Sequence, residues 1–136
     1  MDIADSIRIA TSGMRAQGTR IRIVAENLAN AESTGATAED LPYRRQTVTF
    51  AAELDRASGV ETVTVGRVGV DPSPFVRRHA PGHPAADAEG YVLMPNVNTL
   101  VEMMDLREAQ RSYEANLRVV ESARGMIQRT LDLLRG

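Results

Sequence analysis

The 136-residue chain contains no cysteine, which excludes disulfide bonds, thiolate catalysis and cysteine-based zinc sites. It also has no tryptophan and only 4% aromatic residues, so any core must consist of aliphatic side chains and alanine. Lysine is absent too: all sixteen basic residues are arginine, and the net charge is −2. No segment has the basic excess that phosphate-backbone binding requires. The sequence therefore predicts no nucleic-acid partner.

Long apolar runs are also absent. The first residues include two acids and Arg8, where a secretory signal would have a basic start and an apolar run. No stretch approaches the roughly 20 apolar residues of a membrane span. We therefore expect no membrane insertion, and any passage out of the cytoplasm would use a route without a cleaved signal.

A seven-residue apolar repeat runs through the N-terminal segment and predicts a helix over residues 3–29. Gly13 and Gly18 lie inside it, and each costs roughly 1 kcal/mol relative to alanine. Alone, this helix should be weak. One row of the repeat is Ile7, Met14, Ile21 and Leu28, and the companion row is Ile3, Ala10, Gln17 and Val24.

The C-terminal segment repeats the pattern and predicts a helix over residues 97–134. Asn96, Asn98 and Thr99 are candidate N-caps, and Thr99 with Glu102 fits a capping box. Two heptad helices indicate a coiled coil formed by the termini, with an ordinary helical hairpin as the open alternative. The predicted seam residues are Leu106, Tyr113, Val120, Ile127 and Leu134 on one row, and Met103, Leu117 and Leu131 on the other.

The middle of the chain, residues 36–96, has a different character. Three runs with β-type residues, within 41–50, 59–70 and 90–94, predict three strands, and the prolines of residues 71–89 predict an extended loop. The predicted fold is α+β and mainly α, with a small β-rich insert between two heptad helices. We expect a helix-bearing segment at 1–35, a small outer domain at 36–96 and a second helix-bearing segment at 97–136.

The sequence contains no catalytic motif. His79, His83 and Asp87 have helical metal-site spacing, but Pro81 and Pro84 exclude the helix that such a site needs. The arginine pairs at 44–45 and 77–78 are interpreted as solvated surface. We therefore predict an interaction protein, with no enzyme activity, no cofactor, no metal and no small-molecule substrate.

The stretch NLANAESTG, residues 27–35, stands where the first heptad pattern stops. Asn30 and Gly35 can adopt left-handed backbone angles, and Ser33 and Thr34 favour capping or turn positions. Locally, the stretch predicts the end of a helix.

Three longer stretches in this order resemble the flagellar rod and hook proteins, and among them the FlgC family of basal-body rod subunits. They are SGMRAQGTRIRIVAENLANAESTG, PYRRQTVTF and the run that begins APGHPAADAEGYVLMPNVN. Asn27, Ala29, Asn30 and Thr34 carry the motif shared by rod and hook proteins in general. The PGHPAADAEGYV run resembles the FlgC family in particular, although His79 stands where that family commonly has an aromatic residue.

The resemblance implies paired terminal helices that form the inner layer of a tube, with a small outer domain. It implies a structural subunit of the proximal rod, the periplasmic drive shaft of the flagellar basal body. The implied partners are other copies of this chain, other rod subunits, the adaptor between rod and membrane ring, and the flagellar type III export apparatus. Phe50 and Leu54 match the family's export-gate pattern, and a plain core role for Phe50 is the alternative.

Three other interpretations remain open on the sequence. A different proximal-rod subunit of the same tube would lack the PGHPAADAEGYV run. An unrelated coiled-coil adaptor would not need the NLANAESTG and PNVN stretches in this order. A small metal-dependent enzyme would need a metal bound at His79 and His83.

Overall fold

The computed structural model describes all 136 residues and confirms the α+β fold with two long helices flanking a β-rich insert. None of its helices has the length and apolar character that crossing a membrane requires. The elements in chain order are α1 (Ile3–Ala29), β1 (Gln46–Asp55), β2 (Val60–Val70), β3 (Val76–His79), β4 (Tyr91–Met94) and α2 (Thr99–Arg135).

Helix α2 begins at a side-chain cap supplied by Asn98. Its carboxamide oxygen accepts hydrogen bonds from the backbone N–H groups of Leu100 at 3.1 Å and Val101 at 3.3 Å. These are donors that the first turn of a helix leaves without partners. The predicted capping box of Thr99 and Glu102 is wrong, because Glu102 is fully buried and binds side chains elsewhere in the fold.

Helix α1 ends through side-chain hydrogen bonds. The Asn30 amide donates to the Glu26 carbonyl at 2.9 Å, and the Ser33 hydroxyl donates to the Asn30 carbonyl at 2.8 Å. The expected left-handed backbone at Asn30 and Gly35 is wrong, since positive φ angles occur only at three other glycines. Gly35 is required for another reason: a Cβ there would lie 2.6 Å from the backbone oxygen of Asp40.

The insert contains four strands in two separate two-stranded sheets, β1–β2 and β3–β4. The prediction of three strands and an extended loop over 71–89 is wrong at β3, which pairs antiparallel with β4 from Val76↔Met94 to His79↔Tyr91. The prolines of this segment lie on both sides of β3 and leave its four residues free to pair. These prolines are Pro72, Pro74, Pro81 and Pro84.

The loop between β3 and β4 is held by its own polar groups. The Asp87 carboxylate accepts the backbone N–H groups of Tyr91 and Glu89, both at 2.9 Å. These bonds, that of Tyr91 above all, hold the pKa of Asp87 below its usual range. Gly90 has a φ of 86°, which glycine adopts without strain. Against the sheet, the loop buries a small apolar cluster of Ala85, Val92 and Met94.

The chain folds as two compact units, and each helix contributes to both. The terminal unit consists of residues Met1–Ile21, Thr49–Arg67 and Arg107–Gly136. Inside it, the helices approach closely at Gly13, where a Cβ would lie 2.7 Å from Nδ2 of Asn116. The Ser12 hydroxyl accepts the backbone N–H of Val63 at 3.1 Å, which ties the β1–β2 hairpin to α1.

The junction unit consists of residues Arg22–Val48 and Val68–Leu106. It contains the end of α1, the start of α2, the β3–β4 sheet and the chain that connects them. Its interior combines apolar side chains with two fully buried polar ones. The apolar members are Ile23, Val24, Ala31, Ala85, Val92 and Met94, and the polar members are Asn27 and Glu102.

The two glycines of α1 provide a matched test of helix contact within the terminal unit. Gly18→Ala should favour the helical state by about 1 kcal/mol, because alanine is the better helix former and a Cβ at residue 18 meets no atom within 4 Å. Gly13→Ala should gain less, since its Cβ forces the Asn116 side chain to move. Circular dichroism at 222 nm, during a titration with trimethylamine N-oxide to favour burial, measures both effects.

The control is the same pair of substitutions in an Asn116→Ala background. There the new methyl group at residue 13 has no side chain to displace, so the two glycine variants should gain equally. An unchanged difference between them would contradict the close contact.

Candidate functional site

Seven polar residues of the junction unit form one connected cluster, which we call the polar hub. Its centre is Asn27 on α1. The Asn27 amide donates to the Gln46 carbonyl at 2.9 Å and to the Glu102 carboxylate at 3.2 Å. Its oxygen accepts the Tyr43 hydroxyl at 2.6 Å and the Gln46 N–H at 2.9 Å. The members of the polar hub are Asn27, Tyr43, Arg45, Gln46, Asp71, Asn96 and Glu102.

Glu102 places a carboxylate in this interior with no exposed surface. The Arg45 guanidinium donates to it directly through Nε and lies 3.4 Å from Asp71 and 3.8 Å from Asp105. Isolated buried charges cost several kcal/mol each, so this carboxylate requires the Arg45 contact and the Asn27 hydrogen bond together.

Asn96 ties three chain segments to the polar hub. Its oxygen accepts the Arg45 backbone N–H at 2.8 Å, and its amide donates to the carbonyls of Asp71 and Ser73, both at 3.1 Å. The Asp71 N–H in turn donates to the Arg45 carbonyl at 2.8 Å. Backbone and side chains thus fix the start of β1 against the segments after β2 and β4.

The surroundings shift the pKa values of three groups of the polar hub, Tyr43, Arg45 and Asp71. Burial, followed by the nearby carboxylates Glu26 and Glu102, raises the pKa of Tyr43, so its hydroxyl stays a donor. Burial lowers the pKa of Arg45, but the hydrogen bond and charge of Glu102 outweigh it and the net pKa is raised. The Ser73 hydroxyl, with a smaller effect of Arg45, lowers the pKa of Asp71.

The four residues of the predicted rod and hook motif occupy different environments. Asn27 centres the polar hub, and Asn30 bonds the end of α1. Thr34 is half-buried in the irregular segment that follows the helix, and Ala29 is exposed.

Sequence reasoning missed the other six members of the polar hub. Tyr43, Arg45 and Gln46 lie in the PYRRQTVTF stretch and Asn96 lies in PNVN. These stretches carried the family resemblance, but no local pattern pointed to the individual residues. The interpretation of Arg45 as solvated surface is wrong, because it pairs with Glu102. Its neighbour Arg44 donates to two backbone carbonyls and stacks over the Phe75 ring at 4.2 Å.

The predicted seam residues divide into two groups by burial. On α1 all are covered to some degree: Val24 is buried, and Ile7, Met14, Ile21 and Leu28 are half-buried. On α2 one group is half-buried, namely Leu106, Tyr113 and Val120. The rest are exposed, namely Met103, Leu117, Ile127, Leu131 and Leu134.

Helix α2 buries a different row within its own chain. Glu102, Ala109 and Ala123 are buried and Asn116 is half-buried, and these four recur every seven residues. This row lies one position before the predicted row at 103, 117 and 131. The seven-residue period was predicted, and the predicted residues Leu106, Tyr113 and Val120 are half-buried. The more deeply buried row of α2 was not singled out.

The two residues of the export pattern both lie on β1. Phe50 is 39% exposed and Leu54 is 55% exposed. Residues four apart on a strand point to the same face, so the two side chains share one face of β1.

The histidines of the metal hypothesis serve local structure in the β3–β4 sheet. The His79 ring packs edge-on against Tyr91 with 5.0 Å between ring centres. Nδ1 of His83 accepts the Ala85 backbone N–H at 3.0 Å.

Comparison with known proteins assigns both helical segments to flagellar rod families. Residues 7–37 match the family "Flagella basal body rod protein", and residues 88–133 match "Flagellar basal body rod FlgEFG protein C-terminal". The chain is 57% identical over 128 residues to the flagellar basal-body rod protein FlgC of Agrobacterium fabrum, covering 94% of this chain and 92% of that protein. The chain belongs to the FlgC family of flagellar basal-body rod proteins.

More distant members of the FlgC family align over nearly the whole chain. The protein of Salmonella typhimurium is 40% identical with 98% of each chain covered, and that of Borreliella burgdorferi is 36% identical over the full length of both. Membership makes the chain a structural subunit of the flagellar basal-body rod, which assembles with other rod components. The alternatives of a different rod subunit, an unrelated adaptor and a metal-dependent enzyme do not account for this match.

The polar hub predicts a large loss of stability when its centre is removed. Asn27→Ala leaves the Glu102 carboxylate, the Tyr43 hydroxyl and the Gln46 backbone with fewer partners, and each unsatisfied buried group costs about 1–3 kcal/mol. We expect the free energy of unfolding of the junction unit to fall by about 3 kcal/mol or more. Urea unfolding followed by tyrosine fluorescence measures this loss.

Asn30→Ala is the matched control, because its side chain bonds only a carbonyl of its own helix. Its loss should be about 1 kcal/mol, the net value of one hydrogen bond. Equal losses in the two variants would show that Asn27 does not have the central role assigned to it.

Proposed function

We propose that the chain polymerises through its terminal helices into the proximal rod, and that the rod acts as the drive shaft of the flagellum. The observation that carries this proposal is the set of large apolar side chains that α2 leaves uncovered. Met103 is 48% exposed, Leu117 37% and Leu131 44%. They share one heptad row beside the row that α2 buries in its own chain, so they are available to a neighbouring subunit.

The energetics favour this use of the exposed row. Burying one Leu or Ile side chain contributes about 1.5–3 kcal/mol, so a row repeated along a helix supplies many contacts to each subunit. A shaft that transmits torque needs such contacts spread over a long surface. In this proposal residues 1–35 and 97–136 supply the inner helical layer, and residues 36–96 form a small outer domain.

The proposed partners are other copies of this chain, other rod subunits and the adaptor between rod and membrane ring. The proposed location is the periplasmic part of the basal body. We propose that the chain reaches it through the flagellar type III export apparatus without a cleaved signal. Weak helices suit this route, because a chain that orders on assembly can pass a narrow channel and does not polymerise early.

Leu117→Asp tests the assembly surface. The substitution should abolish rod assembly and motility while the subunit stays soluble, because it places an unpaired carboxylate where a neighbour would bury an apolar group. Motility in soft agar and electron microscopy of isolated basal bodies are the measurements.

Ser122→Asp is the matched control, since it adds the same charge at an exposed polar position of α2. It should leave motility unchanged. Normal motility of the Leu117→Asp strain would rule out this row as an assembly surface.

We propose that Phe50 and Leu54 form the export signal. Their partial exposure on one face of β1 makes both side chains accessible to the export apparatus. Phe50→Ala with Leu54→Ala should reduce the exported amount at least several-fold while the cytoplasmic amount is maintained, as measured by immunoblots of cell fractions.

Val63→Ala is the control, because Val63 is equally exposed on the neighbouring strand β2 and lies outside the pattern. It should be exported normally. Equal export of the double variant and the control would leave Phe50 and Leu54 as ordinary surface residues of the hairpin.

A further inference from the structure

One buried side-chain atom of α1, the oxygen Oε1 of Gln17, has no hydrogen-bond partner within the chain. Buried polar groups in native proteins are nearly always hydrogen-bonded, and a group without a partner lowers stability. Gln17 stands between Ala10 and Val24 in a heptad row that is otherwise apolar, where an aliphatic side chain would avoid this loss. The free subunit therefore carries a polar group that its own contacts do not use.

Gln17 lines a groove of about 550 Å³ in the terminal unit, between α1, α2 and the β1–β2 hairpin. Ser112 and Asn116 line the groove from α2, and Phe50 and Val63, each 39% exposed, add apolar surface from the hairpin. The groove has many times the roughly 30 Å³ that one water occupies in the liquid. It is therefore large enough for a side chain.

The lining of the groove defines the chemistry of an occupant. No charged side chain lines it, so a charged group would be buried there without a counter-charge, which is costly. The Gln17 oxygen is an acceptor and requires an N–H or O–H donor. An uncharged side chain that carries such a donor satisfies both conditions, and a carboxamide, with two N–H donors, is one.

The exposed row of α2 contains such a carboxamide. The row of Met103, Leu117 and Leu131 is interrupted by two polar residues, Gln110 and Arg124. Arg124 is charged and does not fit the groove. Gln110 is uncharged and exposed, and its side chain makes no hydrogen bond within the chain.

Gln110 points away from the groove of its own chain. At 3.6 residues per turn, it lies roughly 160° around α2 from Ser112 and roughly 120° from Asn116. Ser112 and Asn116 face the groove, so the Gln110 that enters it must come from another copy of the chain.

We infer that the Gln110 side chain of one subunit enters the groove of a neighbouring copy and donates a hydrogen bond to Oε1 of Gln17. The inference rests on the proposed function, because it names the neighbour of the exposed row of α2. A polar residue in an apolar seam fixes the register of coiled-coil helices, and this contact would fix the register of two subunits. Donor and groove lie on different surfaces, so the contact is heterologous and repeats from subunit to subunit.

A double-mutant cycle with methionine tests the contact. Gln17→Met and Gln110→Met each leave one carboxamide unpaired in the assembly, and each should lower the number of intact basal bodies per cell by about threefold or more. The double variant should recover to within about twofold of the wild type, because replacing both partners by apolar groups is nearly neutral. Electron microscopy of isolated basal bodies is the measurement.

Gln128→Met is the matched control, since Gln128 is an exposed glutamine of α2 outside the row. It should leave the number of basal bodies unchanged. Single variants that assemble normally, a double variant without recovery, or an equal loss in the control would each overturn the contact.

The stability of the free subunit separates an assembly role of Gln17 from a role in folding. Gln17→Met removes the unpaired oxygen, so the urea midpoint of the free subunit should be equal to or higher than that of the wild type. A lower midpoint would show that Gln17 serves the fold of its own chain, and the inference would be wrong.

Disulfide cross-linking tests the pairing directly, because the chain has no cysteine of its own. Gln17→Cys and Gln110→Cys chains with different tags, produced together in cells that lack the wild-type chain, should give an oxidised dimer that carries both tags. Gln17→Cys with Ser122→Cys is the control and should give none. Basal bodies that show no dimer with the first pair, or equal dimer with the control pair, would contradict the contact.

Photo-cross-linking tests the identity of the occupant. Benzoylphenylalanine in place of Val63, which lines the groove, should capture a second copy of this chain. Capture of another rod protein alone would overturn the second copy as the occupant.

Leu117→Asp distinguishes failure of this inference from failure of the proposed function. If Leu117→Asp blocks assembly while the Gln17 and Gln110 variants assemble normally, the exposed row is an assembly surface and only the glutamine contact is wrong. If Leu117→Asp assembles normally, the proposed use of the row is wrong as well.

Discussion

The buried carboxylate of Glu102 is the main constraint on the junction unit, because it requires Asn27 and Arg45 to lie beside it. A charge without solvent must be paired and hydrogen-bonded, and Glu102 obtains both through Arg45 and Asn27. Asn27 lies near the end of α1, Arg45 directly before β1, and Glu102 in the first turn of α2. These segments are far apart in sequence, so the charge is tolerated only when they meet. This explains why Asn27, in a motif that by itself predicts only the end of a helix, is fully buried.

The helices were predictable because their signal is local. Heptad periodicity predicted 3–29 and 97–134, and the observed helices are Ile3–Ala29 and Thr99–Arg135. The polar hub was not predictable in the same way. By spacing alone Glu102 fits a capping box and Arg45 fits a solvated pair, because the partners of a buried charge lie 57 residues apart and leave no periodic trace. The same limit applies to β3, whose pairing with β4 is visible only from the fold.

The row that α2 buries most deeply within its own chain contains small side chains, which the predicted seam does not include. One of the two predicted rows has Met103, Leu117 and Leu131, whereas the chain buries Ala109 and Ala123, and Asn116 of the same α2 row lies against Gly13 of α1. Small residues allow two helix backbones to come close, whereas large ones hold them apart. The period of a pattern therefore predicts that a helix has a seam. Which of two adjacent rows forms the seam depends on the partner helix, and this information lies outside the repeat.

The subunit thus separates two kinds of interaction that most small domains combine in a single core. Directional polar bonds, which tolerate little change in geometry, join the chain segments of the junction unit. Apolar burial, which is non-directional and scales with area, is left largely unrealised on α2. In the proposed rod this division has a physical consequence. The polar hub fixes which residues of the subunit meet, and the exposed apolar row supplies area that only a neighbour can cover. The assembled rod can therefore be stable although each free subunit gains little from this row.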